Sequence, residues 1–209
     1  MRRTKEESRQ TREAILAAAR REFAAHGVTR TTLERIAQAA GVTRGAVYWH
    51  FANKLDLFQA MREQVSLPLF DRTDLLDGDE PDPLRAVERF LHGVIDQVGS
   101  DLLTRRTLDI LSLRCEYVDE LRPELKRHAQ RCDELRQKFV RVYARARVVG
   151  AMRGDVAPAT AALGTCIFIT GLLRLWLMDG RNQLLRPHVD ALIAAHVAVL
   201  RLPPVVARA

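Results

Sequence analysis

The chain has 209 residues, 47% of them hydrophobic and 28% charged, which allows a sizeable buried core and excludes a disordered or fibrous chain. Its formal net charge is +7, and the excess is local: up to Lys54 there are eleven Lys/Arg against five Glu, so the first quarter of the chain carries nearly all of it. A compact basic segment attracts a polyanion by displacing its counterions, and a solvated basic face with no partner is the plainer alternative.

Taken in chain order, helical signals dominate and strand signals are nearly absent, so the expected class is all-α with about nine helices. The first helix is expected from about Ser8 to His26, with Ala14, Ile15, Ala18, Ala19 and Phe23 on one face and Gly27 as its stop. Thr31 and Glu34 read as a capping box opening a short helix, Leu33 to Ala40, that Gly41 ends. Thr43 caps a third helix running to about His50, and Asn53 a fourth, from Lys54 past Met61 to about Phe70. The acidic segment Asp71 to Pro83, with Gly78 and Pro81, reads as a loop. Helices then follow from Pro83 or Leu84 to about Val98, from Leu102 to about Leu113, and from about Pro123 to Val149. The last of these has Leu125, Cys132, Leu135, Phe139 and Val142 inward. An apolar helix over Pro158–Met178 comes next, and Pro187 opens a final one to Leu200 with Val189, Leu192, Ile193, Val197 and Leu200 on its face.

Several function classes lose support. Met1 is followed by charged residues rather than an apolar run, so no signal peptide is expected. Cys115, Cys132 and Cys166 stand far apart without CxxC spacing and read as reduced thiols, packed as small apolar groups in a cytoplasmic protein. Val156 to Leu173 is free of charge. Its marginal length and its Pro158, Gly164 and Gly171 favour the centre of an all-α domain or a dimer interface, so no membrane partner is expected. His128 and Cys132 would share a helix face, but no further ligands stand near them, and no metal or cofactor is expected. Glu88…His92 and Glu124…His128 are one residue too widely spaced for the Glu-x-x-His of a di-iron bundle. Phosphate-loop, nucleophile-elbow and zinc-protease motifs do not occur, so an enzyme is not expected.

The informative stretch is Thr31 to Lys54, TTLERIAQAAGVTRGAVYWHFANK. Two short helices joined through Gly41-Val42 form a helix-turn-helix, which Leu33, Ile36, Ala37, Val42, Val47 and Phe51 can lock against the first helix. Thr43, Arg44, Gly45, Tyr48, Trp49 and His50 are left on or near the outside. Free N–H groups at the start of the second short helix favour phosphate, and Arg44 can donate two hydrogen bonds to a guanine edge. Gly45 and Ala46 are small enough for the backbone to come close to bases. Tyr48, His50 and Lys54 are placed to hold phosphates, contacts that position the protein without reading sequence.

The stretch GVTRGAVYWHFANKLDLF resembles the DNA-binding signature of the tetracycline-repressor (TetR) family, and MRRTKEESRQTREAILAAARREFAAHGVTRTTLERIA extends the match. The resemblance is dense over residues 1–70 and architectural beyond them. Within the family, the opening RRTKEE and the form VTRGAVYWHFANK are most similar to the acriflavine-resistance type, which represses multidrug efflux pumps. The resemblance implies that Thr43, Arg44 and Gly45 approach bases and that Thr32, Tyr48, His50 and Lys54 contact the backbone. Trp49, standing where many relatives have a second Tyr or Phe, keeps an aromatic donor there. Arg2, Arg3 and Lys5 form a basic tail suited to phosphate or minor-groove contacts, or simply to solvent.

It also implies a division into an N-terminal three-helix helix-turn-helix DNA-binding domain, 1–53, and a C-terminal helical ligand-binding and dimerisation domain, 54–209. The expected partners are double-stranded operator DNA, a hydrophobic small-molecule inducer, and a second copy of the chain held through the last two helices. Candidate ligand-lining residues come from inward faces: Phe70, Leu91, Ile95, Leu108, Ser112, Leu135, Phe139, Cys166, Ile169 and Thr170. The expected function is a repressor of an efflux operon released by ligand. A regulator or activator of a catabolic or signalling operon, and a ligand-independent DNA-binding protein, remain as alternatives.

Overall fold

The computed structural model describes residues 5–65, 67–78, 80–180 and 183–201. Arg2 and Arg3 of the basic tail lie outside the described residues. Among the described residues there are nine α-helices of seven residues or more, two single-turn helices and two 3-10 turns, with no β-strand. The chain is all-α, as its periodicity predicts.

The chain divides into two compact units, residues 1–66 with 101–126, and residues 67–100 with 127–209. The first contains α1 (Lys5–His26), α2 (Leu33–Ala40), α3 (Arg44–His50), α4 (Lys54–Glu63) and α8 (Leu102–Leu113). It therefore extends past the 1–53 segment marked by the motif. The reason is apolar: Leu57, Phe58 and Met61 of α4 and Ile110 of α8 share one buried core with Ile15, Leu16, Ala19 and Phe23 of α1. Phe23 and Phe58 meet edge to face, 6.2 Å between centroids, a geometry that places a ring's positive edge on its neighbour's negative face.

Local chemistry sets the ends of the short helices. Asn53 accepts from the Asp56 amide at 2.9 Å, capping α4 as expected. Thr43 caps α3, accepting from the Ala46 amide at 3.2 Å. The α2 cap falls one residue later than the Thr31–Glu34 box: Thr32 accepts from the Arg35 amide. Thr31 is buried instead and donates to the Gly27 carbonyl at 2.7 Å, closing the turn after α1. Gly41 has φ +68, the left-handed conformation that lets α2 stop and turn directly into α3.

The second unit is built on α7 (Pro83–Ser100), α9 (Arg122–Val148, from residue 127 on), α10 (Pro158–Met178) and α11 (Val189–Ala198), with the single turns α5 (Pro68–Asp71) and α6 (Asp74–Asp77). Leu84, Val87, Phe90, Leu91 and Val94 line the buried face of α7. Phe90 meets Phe139 of α9 edge to face at 5.5 Å.

Three expectations need correction. The helix expected to run to about Phe70 ends at Glu63, and the chain restarts at Pro68: proline lacks the N–H a helix needs and pushes Leu67 into extended backbone (φ −89, ψ 105). The segment taken as loop from Asp71 to Pro83 contains α6. Leu125 and Cys132 have the phase of the buried α9 face but are exposed, as are residues 126–130 between them: phase sets the side of the helix, not whether that side is covered. Likewise Ala14 and Leu192 sit on the rim of their faces and are exposed.

Candidate functional site

The first unit places the basic, aromatic residues of the motif on one exposed helix. Val47 is the buried residue of α3, and it anchors the helix to the core through the α2–α3 pair. Thr43, Arg44, Gly45, Tyr48 and Trp49 are exposed and His50 is half-buried. Trp49 is 74% exposed, a large aromatic surface open to a partner, and its ring meets His50 edge to face at 4.6 Å. Arg44 lies over the Tyr48 ring at 5.4 Å and donates to its hydroxyl at 3.4 Å, which raises the guanidinium pKa above its ordinary value. Arg44 is thus partly oriented before any partner arrives. A Cβ added at Gly45 would meet only the Thr43 hydroxyl, at 3.9 Å, so the space beside this turn is open to a ligand's approach.

Thr32, Arg44, Tyr48 and Lys54 border one cleft of about 490 Å³, together with Thr29, Asn53 and Glu120. Thr43, Gly45, Trp49 and His50 are not part of that lining. Two features were not read from the sequence. Lys54 is not free: its ammonium donates to the Thr29 carbonyl at 3.2 Å and pairs with Glu120 at 3.2 Å. Glu120 lies far along the chain, and no local pattern marks it as a neighbour of the basic cluster. Arg35, which counts toward the basic excess, is committed to Glu22 at 2.6 Å.

The residues expected to line a ligand site fall into three groups. Leu91, Ile95, Leu135, Phe139 and Ile169 are buried in the second unit, and Phe139 stacks near Tyr143 at 6.4 Å. Phe70 is half-buried beneath the Arg131 guanidinium at 4.4 Å, with His128 edge-on at 5.9 Å; Cys166 is also half-buried. Leu108 and Ser112 belong to the first unit, Ser112 being exposed, and Thr170 is exposed on α10. A cleft of about 460 Å³ lined by Ile95, Asp96, Gly99, Ser100, Trp176, Arg186, Val189 and Asp190 includes Ile95 and none of the other nine. Cys132 contacts His128 at 3.6 Å, and no group of three or more metal-ligating side chains occurs among the described residues.

One face of α10 carries Leu163, Ile167, Leu175 and Met178 exposed, at spacings that keep them on one stripe, while Ala161, Thr165, Ile169, Leu172 and Trp176 are buried. By length and composition α10 could cross a membrane. The same composition serves a helix buried on one side by its own core and on the other by a partner.

Residues 15–61 match the family described as bacterial regulatory proteins, tetR family. Over 209 residues the chain is 35% identical to the transcriptional regulator TtgR of Pseudomonas putida, covering 98% of each sequence. Among solved structures it matches NalD, the secondary repressor of the MexAB-OprM multidrug efflux pump in Pseudomonas aeruginosa, with TM-score 0.80 and 36% identity, over 93% of this chain and 98% of that one. It also matches SmeT of Stenotrophomonas maltophilia in complex with triclosan, with TM-score 0.74 and 29% identity, over 96% and 98%.

Proposed function

The chain belongs to the tetR family of bacterial regulatory proteins, and on that premise we propose that it is a dimeric repressor of a multidrug efflux operon, released from its operator by a hydrophobic small molecule. The observation that carries the reading is α3: a capped helix anchored by Val47 whose outer face presents Arg44, Gly45, Tyr48 and Trp49 to solvent. A face of this kind fits the major groove, with Thr43, Arg44 and Gly45 at base edges. Thr32, Tyr48, Trp49, His50 and Lys54 then hold the phosphates. In functional terms residues 1–53 read DNA, and 54–209 sense ligand and dimerise.

Dimerisation through α10 and α11 is supported by the apolar stripe on α10, since water-exposed Leu163, Ile167, Leu175 and Met178 gain by mutual burial across a two-fold axis. The partner is a second copy of the chain rather than lipid, and the chain works in the cytoplasm with its DNA. Two recognition helices then sit roughly 34–36 Å apart, one turn of DNA. The ligand site is proposed within the second unit, among Phe70, Leu91, Ile95, Leu135, Phe139, Cys166, Ile169 and Thr170, walls suited to a flat apolar compound. Efflux control is supported by the likeness to NalD, and ligand response by the likeness to the SmeT–triclosan complex. Ligand acts by favouring a dimer with misplaced recognition helices, and a coupling of about 1–3 kcal/mol weakens operator binding roughly 5–150-fold.

Fluorescence anisotropy of the purified protein on its own upstream DNA, against scrambled DNA at several salt concentrations, tests this reading. Adding triclosan and other hydrophobic antimicrobials completes it. Selective, salt-dependent binding reversed by such a compound is expected; equal affinity for both DNAs would overturn the operator claim.

A further inference from the structure

Within the first unit, two carboxylates reach α4 from the far end of the chain's detour through α8. Glu124, in the first turn of α9, is 2% exposed. Its carboxylate accepts from Gln59 Nε2 at 2.8 Å and pairs with Arg62 at 3.3 Å. Glu120, in the 3-10 turn Asp119–Leu121, pairs with Lys54. Lys54 is the first residue of α4 and Arg62 lies in its last turn, so the two carboxylates hold both ends of one helix. Leu57, Phe58 and Met61 hold α4 in the core of the same unit.

The connector that carries Glu120 is itself built under constraint. Tyr117 and Asp119 both have left-handed backbone, φ 46 and 48, which residues with a Cβ keep only where their surroundings impose it. Tyr117 donates its hydroxyl to the Leu111 carbonyl at 2.9 Å, and Leu121 is buried in the core of the same unit. The connector is thus fixed at both ends, and its acids are presented to α4 in a defined place. Apolar packing would join two helices as firmly as a buried ion pair, but losing one partner of such a pair leaves the other charge buried and uncompensated.

The geometry points to Glu124 as the positioning residue through which α9 sets α4, and with it the helix-turn-helix, for DNA. α9 runs unbroken from Arg122 to Val148, contributing residues to 126 to the first unit and the rest to the second. A displacement at its first turn therefore reaches Gln59 and Arg62 through the buried Glu124 side chain. Glu120 acts at the other end of α4, competing with a DNA phosphate for the Lys54 ammonium. The inference rests on the ligand-responsive reading above and names the side chain by which that response leaves α9.

The test uses the full-length protein without ligand, at a temperature well below its unfolding transition. Operator and scrambled-DNA affinities are measured for wild type, Glu124→Gln, Arg62→Gln and the double variant, with hydrogen exchange followed across the chain. Glu124→Gln is expected to weaken operator binding at least 5-fold, leave scrambled-DNA binding unchanged, and speed exchange in residues 54–63 but not in 139–146. The double variant is expected to be no weaker than Glu124→Gln, because both act through one pair. Glu124→Asp, which keeps the charge, is expected to fall between wild type and Glu124→Gln. Gln59→Ala, at a half-buried position, carries the same expectation in weaker form and serves if Glu124→Gln does not fold. If wild type does not prefer its upstream DNA, the parent reading falls. If wild type does and Glu124→Gln matches it in affinity and in α4 exchange, or loses protection throughout, the role of Glu124 is overturned.

Discussion

Arg44 shows how one side chain can be prepared for a task by its neighbour. The Tyr48 ring and hydroxyl hold the guanidinium to one side of α3 while leaving it in solvent, so little ordering remains to be done on binding. Arg44→Ala removes the donor pair proposed for a guanine edge. Operator affinity should fall by about 1–3 kcal/mol with scrambled DNA affected far less, as competition anisotropy would register. Lys54 makes the opposite case: it is partly withheld by Glu120. Glu120→Gln should tighten DNA binding and steepen the slope of log affinity against log salt by about 1, because one more cation is free to displace a counterion. An unchanged slope would mean that Lys54 never reaches a phosphate.

Between elements, polar ties cross the second unit's core. The buried Tyr143 hydroxyl of α9 meets Thr165 of α10 at 2.6 Å, and Thr165 meets His196 of α11 at 2.9 Å. Phe168 stacks on the His196 ring at 4.3 Å. Burial raises the Tyr143 pKa and lowers that of His196, so both are held neutral. For His196 the folded value lies below the unfolded one near 6.5, so the unfolded chain binds the proton more readily. The contribution to stability is therefore complete above about pH 6.5 and is lost as pH falls from there through the lower folded value. Denaturant titrations from pH 7.5 to 5 should show this decline in wild type and a shallower one in His196→Gln. Parallel curves would place the acid sensitivity elsewhere.

On the scale of the whole molecule, the stripe on α10 is the feature a lone chain does not account for. Ile167 is 66% exposed, so Ile167→Asp costs the isolated chain little and would bury a charge in a dimer. Sedimentation should show wild-type dimers and Ile167→Asp monomers with unchanged helical circular dichroism. Operator affinity should fall at least tenfold with the loss of the second recognition helix. A monomeric wild type with full operator affinity would remove α10 from the dimer proposal.

Most of what the sequence determined by itself is local. The limits of α2, α3, α8 and α10 were legible because caps, prolines and left-handed glycines act within three or four residues. The helix-turn-helix with its outward Arg44, Tyr48 and Trp49 was legible because a buried Val47 and Phe51 define which side faces the core. Even there the Thr31–Glu34 box misjudged the cap by one residue, since two adjacent threonines offer the same chemistry and burial chose between them. Tertiary structure alone decided the rest. Helical phase put Leu125 and Cys132 inward, but whether a phased residue is covered depends on where other helices end. The pairing of Gln59 with Glu124 joins residues 65 apart, and Lys54 with Glu120 spans a similar distance along the chain. Nothing in the spacing of those residues encodes such contacts: a charge finds its partner through the packing of the helices that carry both.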